Sequence, residues 1–178
     1  MDILKRKKGE KSTEYKICVL GDDGVGKTSL IRRYVEDKFE EGFSEEKQIN
    51  KKEELYVSVV ENGLPHSDLI TLNIWDWISN ITQTQSYINS KGALLVCDMT
   101  NKSSLRSLEY WKNELYKVAG EVPVIIVGNK FDLKKKMELR KEDLVKYVKK
   151  LKASYIGTST KTGKNVNNAF YKLAKMLI

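Results

Sequence analysis

Tyr15-Lys-Ile-Cys-Val-Leu20 runs directly into Gly21-Asp-Asp-Gly-Val-Gly-Lys-Thr28, and Ser29-Leu-Ile-Arg-Arg-Tyr34 follows without a break. The first stretch is a short apolar run of strand type. The last carries Leu30, Ile31 and Tyr34 at helical spacing, and a complete G-x-x-x-x-G-K-[ST] joins the two. A glycine-rich turn from strand to helix points backbone N–H groups inward around phosphate oxygens, and the helix N-terminus adds positive potential. Gly21, Asp23, Gly24, Val25, Gly26 and Ser29 belong to that loop and the turn after it. Lys27 is placed to reach β- and γ-phosphates, and the Thr28 hydroxyl suits Mg²⁺. The dinucleotide pattern G-x-G-x-x-G is absent, so the expected ligand is a nucleoside di- or triphosphate with Mg²⁺.

The alternation set up there continues along the chain. Further strand-type runs are read at 55–60, 69–75, 93–97, 123–127 and 155–157 after the first at 15–20, with helices at 27–37, 104–118, 141–152 and 166–177. Leu105, Leu108, Trp111, Leu115 and Val118 show the three- and four-residue spacing of a helix face. Short strands alternating with amphipathic helices mark an α/β fold. The sheet should be mostly parallel, because near-continuous apolar strands are those covered on both faces. Asn62-Gly63 signals a hairpin and hence one antiparallel edge pair, through a loop at 61–68 that carries the only histidine, His66. The charged segment 38–54 reads as a long mobile loop. Residues 1–13 read as a flexible basic arm and 14–178 as a single domain.

At 178 residues, with 40% hydrophobic and 31% charged side chains and only 2 Pro, the chain can build one core and is neither collagen-like, wholly disordered nor a disulfide scaffold. No apolar run approaches the about 20 residues that cross a bilayer, and Met1-Asp-Ile-Leu-Lys-Arg-Lys-Lys8 lacks the apolar core of a signal peptide. A cytoplasmic monomer is expected. Cys18 and Cys97 lie inside apolar runs and read as buried free thiols, and a lone histidine rules against a zinc site. The 32 Lys/Arg against 24 Asp/Glu give a formal charge of +8, concentrated at 5–8 and 134–152. A solvated helix face is the plain reading of that charge; the alternative is a peripheral contact with an anionic membrane surface or an acidic partner. Nucleic acid is not expected, since no basic motif is interleaved with aromatic residues. No lipid-attachment signal is read, the chain beginning Met1-Asp2 and ending Lys175-Met-Leu-Ile178.

A second constellation bears on which nucleotide. Val124-Ile-Ile-Val-Gly-Asn-Lys-Phe-Asp132 places Asn129, Lys130 and Asp132 just beyond a buried strand, where ligands sit in open α/β sheets. A carboxylate there can accept two N–H donors from guanine, at N1 and N2. Adenine offers an acceptor at N1 and no group at C2. Thr158-Ser-Thr-Lys161, at the end of the last strand, can add a backbone donor for the base carbonyl.

On the phosphate loop, the strand ending Leu72-Asn-Ile-Trp-Asp76, Asn129-Lys-Phe-Asp132 and Ser159-Thr-Lys161, the chain resembles the Ras-like small GTPases, in particular the Rab and Ras branches, over about residues 14–178. The resemblance implies a P-loop G domain with a six-stranded sheet and about five helices, and GTP or GDP with Mg²⁺ as ligands. It further implies that Asp76 holds Mg²⁺ through water, that Phe39 packs near the guanine, that Ser159 and Thr160 belong to the base loop, and that Lys130 and Lys161 flank the base. Effector or regulator proteins would then read the switch surface.

The departures from the family pattern cluster at the switches. Between Ser29 and Ile70 there is no Thr, the residue with which the family senses Mg²⁺ and the γ-phosphate. An ungapped count from Lys27 puts Glu46 there, where a carboxylate repels the γ-phosphate unless a cation intervenes; Ser44 is the substitute hydroxyl. Asp76-Trp-Ile-Ser-Asn80 stands where the family has D-T-A-G-Q. Ser79 removes an easily flipped glycine, and Asn80 keeps the amide of the water-orienting Gln with one methylene less reach. Asp23 adds a charge where the family has Gly or Ser. Lys27 and Asn80 remain the catalytic candidates, and GTP hydrolysis is expected to be slow or to need a partner. Two other readings stand beside this one. The first is a nucleotide-loaded interaction module that does not cycle; the second is a P-loop small-molecule kinase, which leaves Asn129–Asp132 unexplained. Trp75 is expected in the core, and Trp77 either seals the switch or anchors a partner.

Overall fold

The computed structural model describes residues 12–40, 50–61, 64–76 and 87–178. In chain order these form β1 (Thr13–Leu20), α1 (Lys27–Glu36), β2 (Asn50–Glu61), β3 (Leu64–Asp76), β4 (Gly92–Asp98), α2 (Lys102–Ala119), β5 (Val124–Asn129), a 3-10 turn (Lys134–Lys136), α3 (Lys141–Leu151), β6 (Ser154–Gly157) and α4 (Val166–Ala174). The six strands make one sheet in the order β2-β3-β1-β4-β5-β6. Only β2 runs antiparallel, against β3, and every other pair is parallel. This is the expected mixed α/β sheet with one antiparallel edge pair. Four α-helices occur among the described residues against the about five that the family resemblance implied.

Side-chain alternation along the strands separates two cores. Ile17 and Val19 face one side with Leu94, Val96, Ile125 and Val127, covered by Leu30 and Ile31 of α1 and Phe170 and Leu173 of α4. Cys18 and Leu20 face the other with Leu95, Cys97 and Ile126, covered by Leu105, Leu108, Trp111 and Leu115 of α2 and Leu144 and Leu151 of α3. A period of two buries both faces, so the central strands are apolar throughout. Both thiols are buried as expected, which pushes Cys18 up to about 11 and Cys97 to about 12. Trp75 packs partly buried against the second core, with the Lys16 ammonium 4.5 Å from its ring centroid. Trp77 lies outside the described residues.

The edge hairpin differs from the sequence expectation. Glu61 pairs with Leu64, so only Asn62 and Gly63 connect the strands, and His66 stands opposite Val59 in the ladder instead of in a loop. The segment 50–54, read as part of a mobile loop, belongs to β2. Its charges mislead because an edge strand tolerates them: Lys51 pairs with Glu36 at 3.1 Å and Lys52 with Glu14 at 3.2 Å. Of the rest of that expected loop, 38–40 is irregular and 41–49 lies outside the described residues, as do 1–11 and 77–86; Thr13, read as the end of the basic arm, instead pairs with Ile70 in β1. No helix among the described residues is long and apolar enough to cross a membrane.

Candidate functional site

The strand order reverses between β1 and β4, and in open parallel sheets the crevice beyond the strand C-termini at such a point receives ligands. The turn from β1 into α1 lies there. Two of its glycines are required by space: a Cβ on Gly21 would come within 2.2 Å of Val96 O, and one on Gly26, at φ +95, within 2.5 Å of Asn129 Nδ2. Gly26 is the N-cap of α1, whose first turn carries no side-chain cap and no acidic residue. Nothing negative on the helix therefore opposes an anion at its N-terminus.

Lys27 is 1% exposed. Its Nζ donates to Asp22 O at 3.0 Å and lies 3.6 Å from Oδ1 of Asp23, whose own side chain is 83% exposed. The ammonium is thus held inside the loop by a carbonyl and a solvated carboxylate. The Thr28 hydroxyl donates to the Asp76 carboxylate, and both residues are buried at the ends of α1 and β3. A hydroxyl and a carboxylate side by side are the hard oxygen donors that Mg²⁺ prefers.

Asn129, at the end of β5 and 0% exposed, joins three segments. Its Nδ2 donates to Val25 O at 3.0 Å, while its Oδ1 accepts from Thr160 N at 3.2 Å and from the Thr158 hydroxyl at 3.3 Å. Lys130 adopts φ +62, a conformation costly for a residue with a Cβ. Its Nζ donates to Gly24 O at 2.8 Å and pairs with Asp98 Oδ2 at 2.6 Å. Ser159 donates its hydroxyl to Asp132 Oδ1 at 2.6 Å and accepts from Thr162 N at 3.1 Å, which orients the carboxylate. A hydrogen-bonded circuit therefore runs from the phosphate loop through Asn129 and Lys130 to the loop after β6, and Thr28 ties it to Asp76.

Gly21–Ser29, Asp76, Asn129, Lys130, Asp132 and 159–161 are accordingly brought to one end of the sheet. Phe39 is half-buried beyond the C-terminus of α1, and Lys161 is exposed. Asn80, Ser79, Ser44 and Glu46 lie outside the described residues. Three further residues were not singled out from sequence. Asp98, opposite Asn129 in the β4–β5 register, holds Lys130 and accepts from Thr100 N at 2.8 Å; its place at a strand C-terminus was a usable signal. Trp111 Nε1 donates to Asp22 Oδ1 at 2.8 Å across a sequence separation of 89, and Arg33 reaches the loop after β6. Neither has a local signal, since a helix-face Trp reads as core and a helix-face Arg as solvated surface.

A family model described as the Ras family matches residues 16–178. The GTP-binding nuclear protein GSP1 of Encephalitozoon cuniculi is 29% identical over 171 residues, spanning 91% of this chain and 75% of that protein. Ras-related protein Rab-21 of Geodia cydonium is 33% identical over 169 residues, spanning 92% and 70%. Ras-related protein SEC4 of Candida albicans is 30% identical over 179 residues, spanning 96% and 82%.

Proposed function

The chain belongs to the Ras family, and from that premise we propose that it is a guanine-nucleotide switch of altered switch chemistry, holding GTP or GDP with Mg²⁺ and hydrolysing GTP slowly or only with a partner. The observation that carries this reading is the Asn129 circuit, which joins a phosphate-type loop to a base-type carboxylate in one hydrogen-bonded network. The donor set fits the ligands. Lys27 and the loop around Gly26 would neutralise and cradle phosphates, and Thr28 and Asp76 would hold the metal, Asp76 through water. Bound Mg²⁺ would supply further charge neutralisation at the terminal phosphates.

Asp132, oriented by Ser159, would accept the two guanine donors, with the Lys161 backbone N–H as donor for the base carbonyl, the Thr160 N–H being held by Asn129 Oδ1. Lys130 and Lys161 would flank the base, and Phe39 would cover it. Asn80 would position the attacking water with a shortened reach. Asp23 acts against the reaction twice. Its carboxylate, 3.6 Å from Lys27 Nζ, competes for the cation that the phosphates need, and it adds negative charge near the γ-phosphate.

Chromatography of the nucleotide released on denaturation, followed by single-turnover hydrolysis of GTP, tests the assignment. The expected result is a guanine nucleotide and a rate at or below the ~10⁻⁴ s⁻¹ of unassisted family members. Asp23→Gly combined with Asn80→Gln should raise that rate. Equal competition by ATP overturns the base assignment, and fast unassisted turnover overturns the slow-switch reading.

The missing switch Thr and the Ser79 substitution favour a second reading, a nucleotide-loaded module that does not cycle. A ligand shifts a conformational equilibrium only by its differential affinity for the two states. Similar hydrogen exchange at 40–54 and 77–87 with GDP and with a non-hydrolysable GTP analogue supports the module; strong GTP-specific protection of both segments removes it. Residues 1–11 are proposed as an arm outside a single domain, whose sheet already takes in Thr13 opposite Ile70, and the protein as a cytoplasmic monomer whose switch surface meets effectors or regulators. Exposed Lys134, Lys135, Lys136, Arg140, Lys146, Lys149 and Lys152 support peripheral contact with an anionic membrane surface.

A further inference from the structure

Arg33 belongs to none of the motifs that point to the nucleotide, yet its guanidinium joins two sides of the site. It sits in the last turn of α1. Nε donates to Thr160 O at 2.8 Å and Nη2 to Lys161 O at 2.7 Å. Nη1 donates to Asp37 O at 2.8 Å and to Asp37 Oδ1 at 3.0 Å. The side chain is only 16% exposed. Gly163, at φ +77, lies alongside, where a Cβ would be in ordinary contact at 3.9 Å from both Cδ and Nε of Arg33. The loop after β6 thus folds around the arginine stem while the guanidinium holds two successive carbonyls.

The rigid planar fork spreads its donors over three nitrogens and here serves four acceptor atoms on two segments; a lysine's three donors radiate from one nitrogen and cannot span them. The peptide is planar and trans, so its C=O and the next N–H point in opposite directions. Anchoring Thr160 O on the guanidinium therefore directs the Lys161 N–H away from α1. The neighbouring Thr160 N–H is already committed to Asn129 Oδ1. Holding Asp37 O fixes, in the same way, the chain that continues through Lys38 to Phe39. One cation thereby sets the position of Thr160–Lys161 on one side and of the 38–40 segment on the other.

We propose that Arg33 is a positioning residue for the guanine: by holding the Thr160 and Lys161 carbonyls it keeps the base loop in its reading conformation and so sets nucleotide residence time and base preference. This rests on the guanine-site reading above. The test uses the full chain loaded with a fluorescent GDP analogue, with release followed on adding excess GDP, and GDP against ADP competition measured on the same samples. Arg33→Met keeps most of the stem and removes every donor. Arg33→Lys keeps the charge with one point of contact, and Asp37→Asn weakens only the partner that does not belong to the base loop.

Arg33→Met should release about tenfold faster, the scale of losing charge-assisted bonds to the loop, and should narrow the GDP over ADP preference by a similar factor. Arg33→Lys should fall between it and the wild type, and Asp37→Asn should stay close to the wild type. Should Arg33→Met fold poorly, the comparison of Arg33→Lys with Asp37→Asn decides. Wild-type release and preference in the Arg33 variants overturn the proposal while leaving the guanine site standing. Faster release with an unchanged GDP over ADP preference also overturns it, since that is the mark of a general structural loss. A wild type that takes up no GDP overturns the guanine reading and this proposal with it.

Discussion

Replacing Asn129 by Ala should cost stability even before any nucleotide is considered. The side chain is wholly buried and makes three hydrogen bonds, one to the phosphate loop and two to the loop after β6. Its loss strands the carbonyl of Val25 and the N–H of Thr160, in residues 2% and 4% exposed. An unsatisfied buried backbone group costs about 1–3 kcal/mol. The Thr158 hydroxyl can rotate elsewhere and adds little, so the two stranded groups sum to about 4 kcal/mol, falling toward about 2 if a water enters the gap. Against a domain stability of about 5–15 kcal/mol this is a large fraction.

Urea denaturation of nucleotide-free protein reads it directly. At a slope of about 2 kcal/mol/M the midpoint should drop by about 1–2 M. Asn129→Asp is the sharper companion variant. One oxygen still accepts from Thr160, but the other meets Val25 O where a donor stood, so the variant should be as unstable as the alanine at neutral pH. Protonation restores a donor, so it should recover part of the loss as pH falls. Midpoint shifts below about 0.5 M for both variants would refute the idea that this side chain holds the loops together.

Asp132→Asn should weaken GTP binding by about tenfold or more, because an amide turns a donor toward the guanine N–H groups, and should favour xanthine nucleotides, which carry a carbonyl at C2; competition binding with GTP and XTP checks it. The buried thiols predict a falling alkaline limb. Burial raises Cys18 to about 11 and Cys97 to about 12 from an ordinary 9.0, so below pH 9 neither state loses a thiol proton. Above it the unfolded chain releases protons that the folded one keeps. Stability should then fall by up to about 1.4 kcal/mol per pH unit for each thiol until the folded thiols ionise too. Urea midpoints from pH 8 to 10.5 should decline less steeply in Cys97→Ala than in the wild type, and equal slopes would refute it. At pH 8 the native thiols should react with a disulfide reagent only as fast as the protein opens, and a reaction complete on mixing would contradict their burial.

What the sequence determined by itself is what is local. The phosphate loop is legible because three glycines, a lysine and a threonine meet the backbone and ligand demands of eight consecutive residues. The β5 motif is legible because it follows a strand whose apolar run announces its own end. The alternation of Ile17 and Val19 with Cys18 and Leu20 already implies two covered faces. Charge was the misleading signal: Lys51, Lys52, Glu53 and Glu54 look like a loop and form the start of an edge strand, whose ladder bonds are made by backbone groups indifferent to side-chain charge.

Only the tertiary structure decided how the pieces are held. Asn129 finds Val25 across a sequence separation of 104, Trp111 finds Asp22 across 89, and Arg33 finds Thr160 across 127. An asparagine after a strand, a tryptophan on a helix face and an arginine in a last helical turn each suit many environments. Which buried carbonyl or carboxylate each one satisfies depends on the crossovers that bring distant strand ends together. The partner is chosen by the cost of leaving a buried polar group unpaired, and that cost exists only once the sheet has closed the space around it.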